Sequence, residues 1–165
     1  MATHNMILSA EIAGRKLKRM ALEVCERNYG ADEIVLLGIK DNGSLIAKEI
    51  ARLTAEYFEG EIIVADLFIN KKEPAEIRLS TEIDLGNKVI ILVDDVANSG
   101  RTMLYSLKPL LLQFPKKIQT LALVERTHKL FPIAVDYVGV SVSTTLEENI
   151  EVEIKNGKVA GAWLR

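Results

Sequence analysis

Apolar and polar positions along the chain switch repeatedly between a helical and a strand period. Leu17, Met20, Ala21 and Val24 recur at helical spacing behind Ser9, a favourable helix cap, with Glu11 in the first turn and Gly30 just beyond the end. Ile34 to Ile39 is an unbroken apolar run, which suits a strand covered on both faces of a parallel sheet. Leu45, Ile46, Ile50 and Leu53 predict a second helix, and Glu61 to Phe68 the next strand. Asn70 to Glu76 is polar, contains Lys71, Lys72 and Pro74, and predicts a loop. Ile77, Leu79, Ile83 and Leu85 sit on alternate positions around Thr81 and predict an exposed ribbon or arm.

Val89 to Val93 is the most apolar strand and runs straight into Asp94-Asp95. Leu104, Leu107, Leu110 and Leu111 predict a third helix that ends before Pro115. Ile118 to Val124 and Tyr137 to Val142 predict two further strands. Asn156-Gly157 between Ile150 to Ile154 and Val159 to Trp163 signals a hairpin with a two-residue turn at positive φ. No internal repeat, low-complexity segment or linker interrupts the series, so residues 1–165 read as one domain. Alternating strands and helices predict an α/β fold: a central, mostly parallel sheet flanked by helices. Ligands of such sheets bind at the carboxyl ends of the strands, so the residues there matter most.

Composition narrows the chemistry. The 165 residues are 48% apolar and 27% charged, an ordinary globular balance. Twenty-one basic against 23 acidic residues leave a net charge of -2, which speaks against broad nucleic-acid binding while leaving room for a local basic face. One cysteine, Cys25, excludes an internal disulfide, and with only His4 and His128 a four-ligand zinc site falls short. No stretch approaches the ~20 apolar residues of a membrane span, and the start lacks the charge and apolar core of a signal peptide. The expectation is a cytoplasmic protein whose chemistry relies on carboxylates, backbone amides and a borrowed metal.

The segment from Val89 to Thr102 carries that chemistry. A buried strand delivers Asp94 and Asp95 to the sheet edge, and a tight turn through Val96, Ala97, Asn98, Ser99 and Gly100 opens a helix at Arg101 and Thr102. Free N–H groups at a helix start form an anion site, and glycine lets the backbone approach a phosphate closely. The two acids would repel a phosphate and are better suited to sugar hydroxyls or to Mg²⁺. Helix capping alone accounts for one polar residue here, but not for two consecutive acids after five apolar residues. The segment reads as a sugar-phosphate clamp.

This segment resembles the phosphoribosyl diphosphate motif of the type I phosphoribosyltransferases: an apolar strand, two acids, three variable residues, Ser or Thr, Gly, any residue, Thr. Ile34 to Lys48 resembles the family's strand, pyrophosphate loop and helix. Leu121 to His128, Phe131-Pro132-Ile133 and Asp136 to Gly139 resemble its base-side strand and turn. The combination is most similar to the pyrimidine operon attenuator/uracil phosphoribosyltransferase group. The resemblance implies a small hood over the sheet, to which the C-terminal β-hairpin is added, and transfer of phosphoribosyl from phosphoribosyl diphosphate to a nucleobase, uracil first, with Mg²⁺ as cofactor. The first alternative is an RNA-binding pyrimidine-operon regulator or nucleotide sensor with weak or lost catalysis, and the second is transfer to a purine base.

The same resemblance implies roles by position. Asp94 and Asp95 would be catalytic and would meet the metal largely through substrate or water. Ala97 to Thr102 would hold the 5′-phosphate and Lys40, Asp41, Asn42 and Gly43 the pyrophosphate, with Val96 also part of the phosphoribosyl diphosphate site. Asn70 to Glu82 would be a lid carrying Lys71, Lys72 and Arg78. Glu125 and Arg126 would face the base, the alternative being a Glu125 that is solvated or paired with Arg126. Where the regulator group carries Thr-Arg-Gly, this chain has Asp41-Asn42-Gly43, and its lid is shorter. A homo-oligomer is implied. RNA is a possible partner through Arg15, Lys16, Lys18 and Arg19, although such a run is more often the solvated face of an amphipathic helix.

Overall fold

A computed structural model describes residues 5–74 and 76–165. The elements in chain order are β1 (Asn5–Ser9), α1 (Ala10–Arg27), β2 (Glu33–Ile39), α2 (Asn42–Thr54), β3 (Glu61–Ile69), β4 (Ile77–Leu79), β5 (Val89–Ala97), α3 (Arg101–Leu111), β6 (Lys117–Arg126), β7 (Tyr137–Val142), β8 (Ile150–Lys155) and β9 (Lys158–Leu164). Six strands form one sheet in the order β4-β3-β2-β5-β6-β7. All neighbours in it run parallel except β4, which pairs antiparallel with β3 through Leu67↔Leu79.

The apolar runs become central strands for the reason their composition implied. In β2 the side chains of Ile34 and Leu36 join the core beneath α1 and α2, while Val35, Leu37 and Ile39 join the core beneath α3. Both faces are covered, so alternation in polarity disappears. From β2 the chain moves outward to β3 on one side, and from β5 it moves outward to β6 and β7 on the other. The adjacent carboxyl ends of β2 and β5 are thus the point where strand order reverses, with α2 leaving to one face and α3 to the other.

The hairpin is formed as read, with Asn156 at φ 53° and Gly157 at φ 74°. Its sheet has a third member: β1 pairs antiparallel with β9 in the order β1-β9-β8, making a hood beside the main sheet. Five residues with one buried side chain, Leu8, are too short a pattern to announce a strand. Ser9 caps α1 as expected, its Oγ accepting from Ile12 N at 3.3 Å.

Two expectations are corrected. The alternating segment after the polar loop is no exposed arm: β4 is only three residues long, and Leu85 is fully buried in the core beneath α3. Leu111 is 58% exposed, because Met103, Ser106 and Leu110 fill the inner face of α3 and Leu111 points away from it. Among the described residues no helix is long and apolar enough to cross a membrane.

Candidate active site

The reversal point is a tight junction. A Cβ on Gly43 would lie 2.7 Å from Val93 O, and one on Gly38 would lie 2.5 Å from Ser44 Cα. Their missing side chains let the first turn of α2 sit directly on the ends of β2 and β5. The Lys40–Asp41 peptide leading into α2 is cis.

Asp94 is 2% exposed and Asp95 half-buried. Each acid is steadied by the next amide: Asp94 Oδ1 accepts from Asp95 N at 2.9 Å, and Asp95 Oδ1 accepts from Val96 N at 2.8 Å. The Asn42 side-chain amide donates to Asp95 Oδ2 at 2.9 Å and to Val152 O of β8 at 3.1 Å, tying the start of α2, the acid pair and the hood together. Lys71 Nζ stands 3.6 Å from Asp94 Oδ1. Burial, followed by the negative charge of Asp95, pushes the Asp94 carboxyl well above the usual carboxylate range, against the pull of Lys71.

Beyond the acids, Gly100 adopts φ 80° and α3 begins at Arg101. Ser99 Oγ accepts from Arg101 N at 3.2 Å. Acid pair, turn and helix start share a cavity of about 370 Å³. Asn42 and Lys71 form one side of it, Ile150 and Val152 of the hood another. Two carboxylates, the turn that opens α3 and the hood strand through Ile150, Glu151 and Val152 thus border one space, which can hold a polyol and an anion together.

Most of the clamp predicted from sequence converges here: Asp94, Asp95, Val96, Ala97, Asn98, Ser99, Gly100, Thr102, Asn42 and Lys71 all line the cavity. Gly43 lies directly beneath it. Arg101 instead stacks its guanidinium over Tyr105, and Lys40 and Arg78 both stack on Phe68. Asp41 and Lys72 are exposed and away from the cavity lining. The lid segment spans residue 75, which lies outside the described residues, as does His4. His128 is exposed.

The residues expected on the base side are engaged elsewhere in the fold. Glu125 forms an ion pair with Lys129 and accepts from Ser141 Oγ at 3.0 Å, and Arg126 donates to Glu148 O at 2.6 Å. Neither lines the cavity, and they do not pair with each other. Lys129, four residues beyond Glu125, is the nearer cation. An acid followed four positions later by a lysine was a visible signal, but only the reversal of the chain after β6 brings the two together. The hood residues Ile150 and Val152 were likewise missed as site walls, because a hairpin pattern does not say where the hairpin docks.

Two adjacent carboxylates fit Mg²⁺, which commonly takes one or two protein acids and fills its remaining positions with water and phosphate oxygens. Among the described residues no group of three His, Cys, Asp or Glu converges into a fuller protein cage.

A mostly parallel α/β sheet with paired acids and an anion-ready helix start at its reversal point defines a sugar-phosphate-binding domain. Residues 4–156 match the phosphoribosyl transferase domain family, and the chain belongs to that family. It is 36% identical over 162 residues to the bifunctional protein PyrR of Bacillus cereus (strain AH820), covering 91% of this chain and 90% of that one. The PyrR protein of Bacillus thuringiensis subsp. konkukian is similar to the same extent. Among solved structures, a hypoxanthine-guanine phosphoribosyltransferase of Bacillus anthracis superposes with a TM-score of 0.76 at 19% identity, over 96% of each chain. The hypoxanthine phosphoribosyltransferase of Trypanosoma cruzi gives 0.74 at 14% identity, over 84% of this chain and 82% of that one. At those identities the likeness is one of fold.

Proposed function

We propose that this phosphoribosyltransferase joins uracil to phosphoribosyl diphosphate, forming UMP and pyrophosphate with Mg²⁺ bound. The observation that carries the reading is the shared cavity of Asp94, Asp95 and the start of α3. In the reaction the bond from the ribose C1′ to the pyrophosphate oxygen breaks as the bond to the base nitrogen forms, and the ring gains positive charge in between. Catalysis then consists of positioning and electrostatic stabilisation.

In this reading the Asp95 carboxylate, oriented by Asn42 and by Val96 N, faces the ribose hydroxyls and the developing charge. Asp94 supports the same ring from the buried side. The turn from Ala97 to Thr102 offers amides and hydroxyls to the 5′-phosphate. The start of α2, with Asn42 and Gly43, faces the pyrophosphate, and Lys71 moves from Asp94 to phosphate as the lid closes. Asp94 and Asp95 would hold Mg²⁺, which would supply neutralisation of charge on the leaving pyrophosphate. Ile150 and Val152 supply an apolar wall for a flat ring.

Uracil is favoured by the similarity to the PyrR proteins and by the resemblance to the uracil-using group. Glu125 adds nothing to the choice of base, since its carboxylate is paired with Lys129 outside the cavity. The test is nucleotide formation from phosphoribosyl diphosphate across uracil, hypoxanthine, guanine and adenine. UMP as the main product is expected; preferential formation of a purine nucleotide would replace the base while keeping the clamp. A cytoplasmic homo-oligomer accompanies this reading, with sedimentation equilibrium as the check on assembly.

Regulation by RNA is the second reading, favoured by the bifunctional designation of the relatives. Its proposed basic face is partly neutralised: Arg15 pairs with Glu11 at 2.6 Å, and Arg19 pairs with Glu23 and donates to Val138 O and Gly139 O. RNA affinity at low salt that falls steeply as salt rises would support it, and no affinity at low salt would remove it.

A further inference from the structure

Glu125 and Lys129 lie behind the clamp, at the carboxyl end of β6 and in the loop that follows. Their ion pair is 15% and 11% exposed, and Ser141 Oγ donates to the second carboxylate oxygen at 3.0 Å. The pair folds the loop from Thr127 to Ile133 back against its own strand.

That loop is the rear support of the phosphate turn. Leu130 N and Phe131 N both donate to Ser99 O, at 3.1 and 3.0 Å. Ile133 and Lys129 pack on Gly100, where a Cβ would meet Ile133 Cγ2 at 2.5 Å and Lys129 Cδ at 3.4 Å. In a trans peptide the C=O and the following N–H point in opposite directions. The Ser99 carbonyl is pinned towards the loop, so the Gly100 N–H is aimed away from the loop, and Ser99 and Gly100 both line the cavity.

We infer that Glu125 and Lys129 are positioning residues for the sugar 5′-phosphate: their ion pair locks the loop whose two amides hold the Ser99 carbonyl and thereby aim the Gly100 amide. This rests on the clamp reading above and deepens it. The roles expected for Glu125 from sequence, reading the base or pairing with Arg126, give way to one exerted through the backbone.

The experiment measures calorimetric affinity for ribose 5-phosphate and, separately, for inorganic pyrophosphate in wild type, E125Q, K129M, K129R and S141A, together with KM for phosphoribosyl diphosphate and for the base. E125Q and K129M should weaken ribose 5-phosphate at least tenfold while pyrophosphate changes less than twofold. K129R should stay within threefold of wild type, and S141A should shift affinity in the same direction by a smaller factor. Unchanged ribose 5-phosphate affinity in E125Q and K129M overturns the inference. So does a raised KM for the base with ribose 5-phosphate unaffected, which would return Glu125 to the base pocket. Equal loss of both ligands with a lowered Tm would mean general damage and also overturns it. A wild type that binds pyrophosphate but not ribose 5-phosphate refutes the clamp itself, an outcome separate from any variant's behaviour.

Discussion

Asp94 is a buried acid at the centre of the proposed site. Its carboxyl is buried beside a like charge, so the folded chain favours the protonated form. Stability held with the group protonated is complete below the ordinary value of 3.8 and is lost as pH rises through the raised folded value. Asp94→Asn escapes that loss. Its Tm should exceed that of wild type at neutral pH, a gain of ~1 kcal/mol moving Tm by about 2–4 °C at this chain length. The difference should shrink towards about pH 4, where wild-type carboxyls regain their protons. Turnover should meanwhile fall by at least ~100-fold if the acid acts on the charged ring. Thermal melts across pH, paired with activity, check both parts.

Asn42 has contacts in the fold that its sequence position does not reveal. A resemblance places it at the pyrophosphate; the structure puts its amide on Asp95 and Val152 O. Asn42→Ala should lower kcat about tenfold, in line with ~1–3 kcal/mol for a buried acceptor left short of a donor. Asn42→Asp should be worse, since a third carboxylate would then face Asp95. Parallel steady-state kinetics of the two variants test that order.

Element by element, the best-read parts are those whose residues act locally. The strand ending in Asp94-Asp95, the turn through Gly100 and the hairpin at Asn156-Gly157 need only adjacent residues to declare them. β1, the burial of Leu85 and the Glu125–Lys129 pair were hidden because each depends on a partner distant in sequence or on a chain reversal. Two glycines of similar conformation separate turn chemistry from packing. Gly157, at φ 74°, has nothing within 4 Å of a Cβ position, whereas Gly100, at φ 80°, faces Ile133 at 2.5 Å. Gly157→Ala should cost only ~1–2 kcal/mol of backbone strain and leave turnover intact. Gly100→Ala should cost more and abolish ribose 5-phosphate binding. Urea unfolding with calorimetric titration distinguishes the two.

At the scale of the molecule, the sheet order explains why so few unusual residues suffice. Reversal between β2 and β5 sends α2 and α3 to opposite faces and leaves their first turns beside one acid pair. A net charge of -2 spread over the surface is compatible with the proposed anion binding, because that site would be built from backbone amides and Lys71 rather than from global charge. The scarcity of histidine and cysteine fits a transfer governed by placement of charge. Composition could suggest that class of chemistry; only the arrangement of strands shows which residues share the space.

The most direct measurement is conversion of labelled uracil with phosphoribosyl diphosphate and Mg²⁺, following UMP and pyrophosphate together in wild type and Asp95→Asn. Equimolar UMP and pyrophosphate, loss of both on chelation of the metal, and a rate at least ~100-fold lower in the folded variant are expected. No nucleotide from any base despite demonstrated binding of phosphoribosyl diphosphate, or an Asp95→Asn variant that turns over like wild type, would contradict the proposed function.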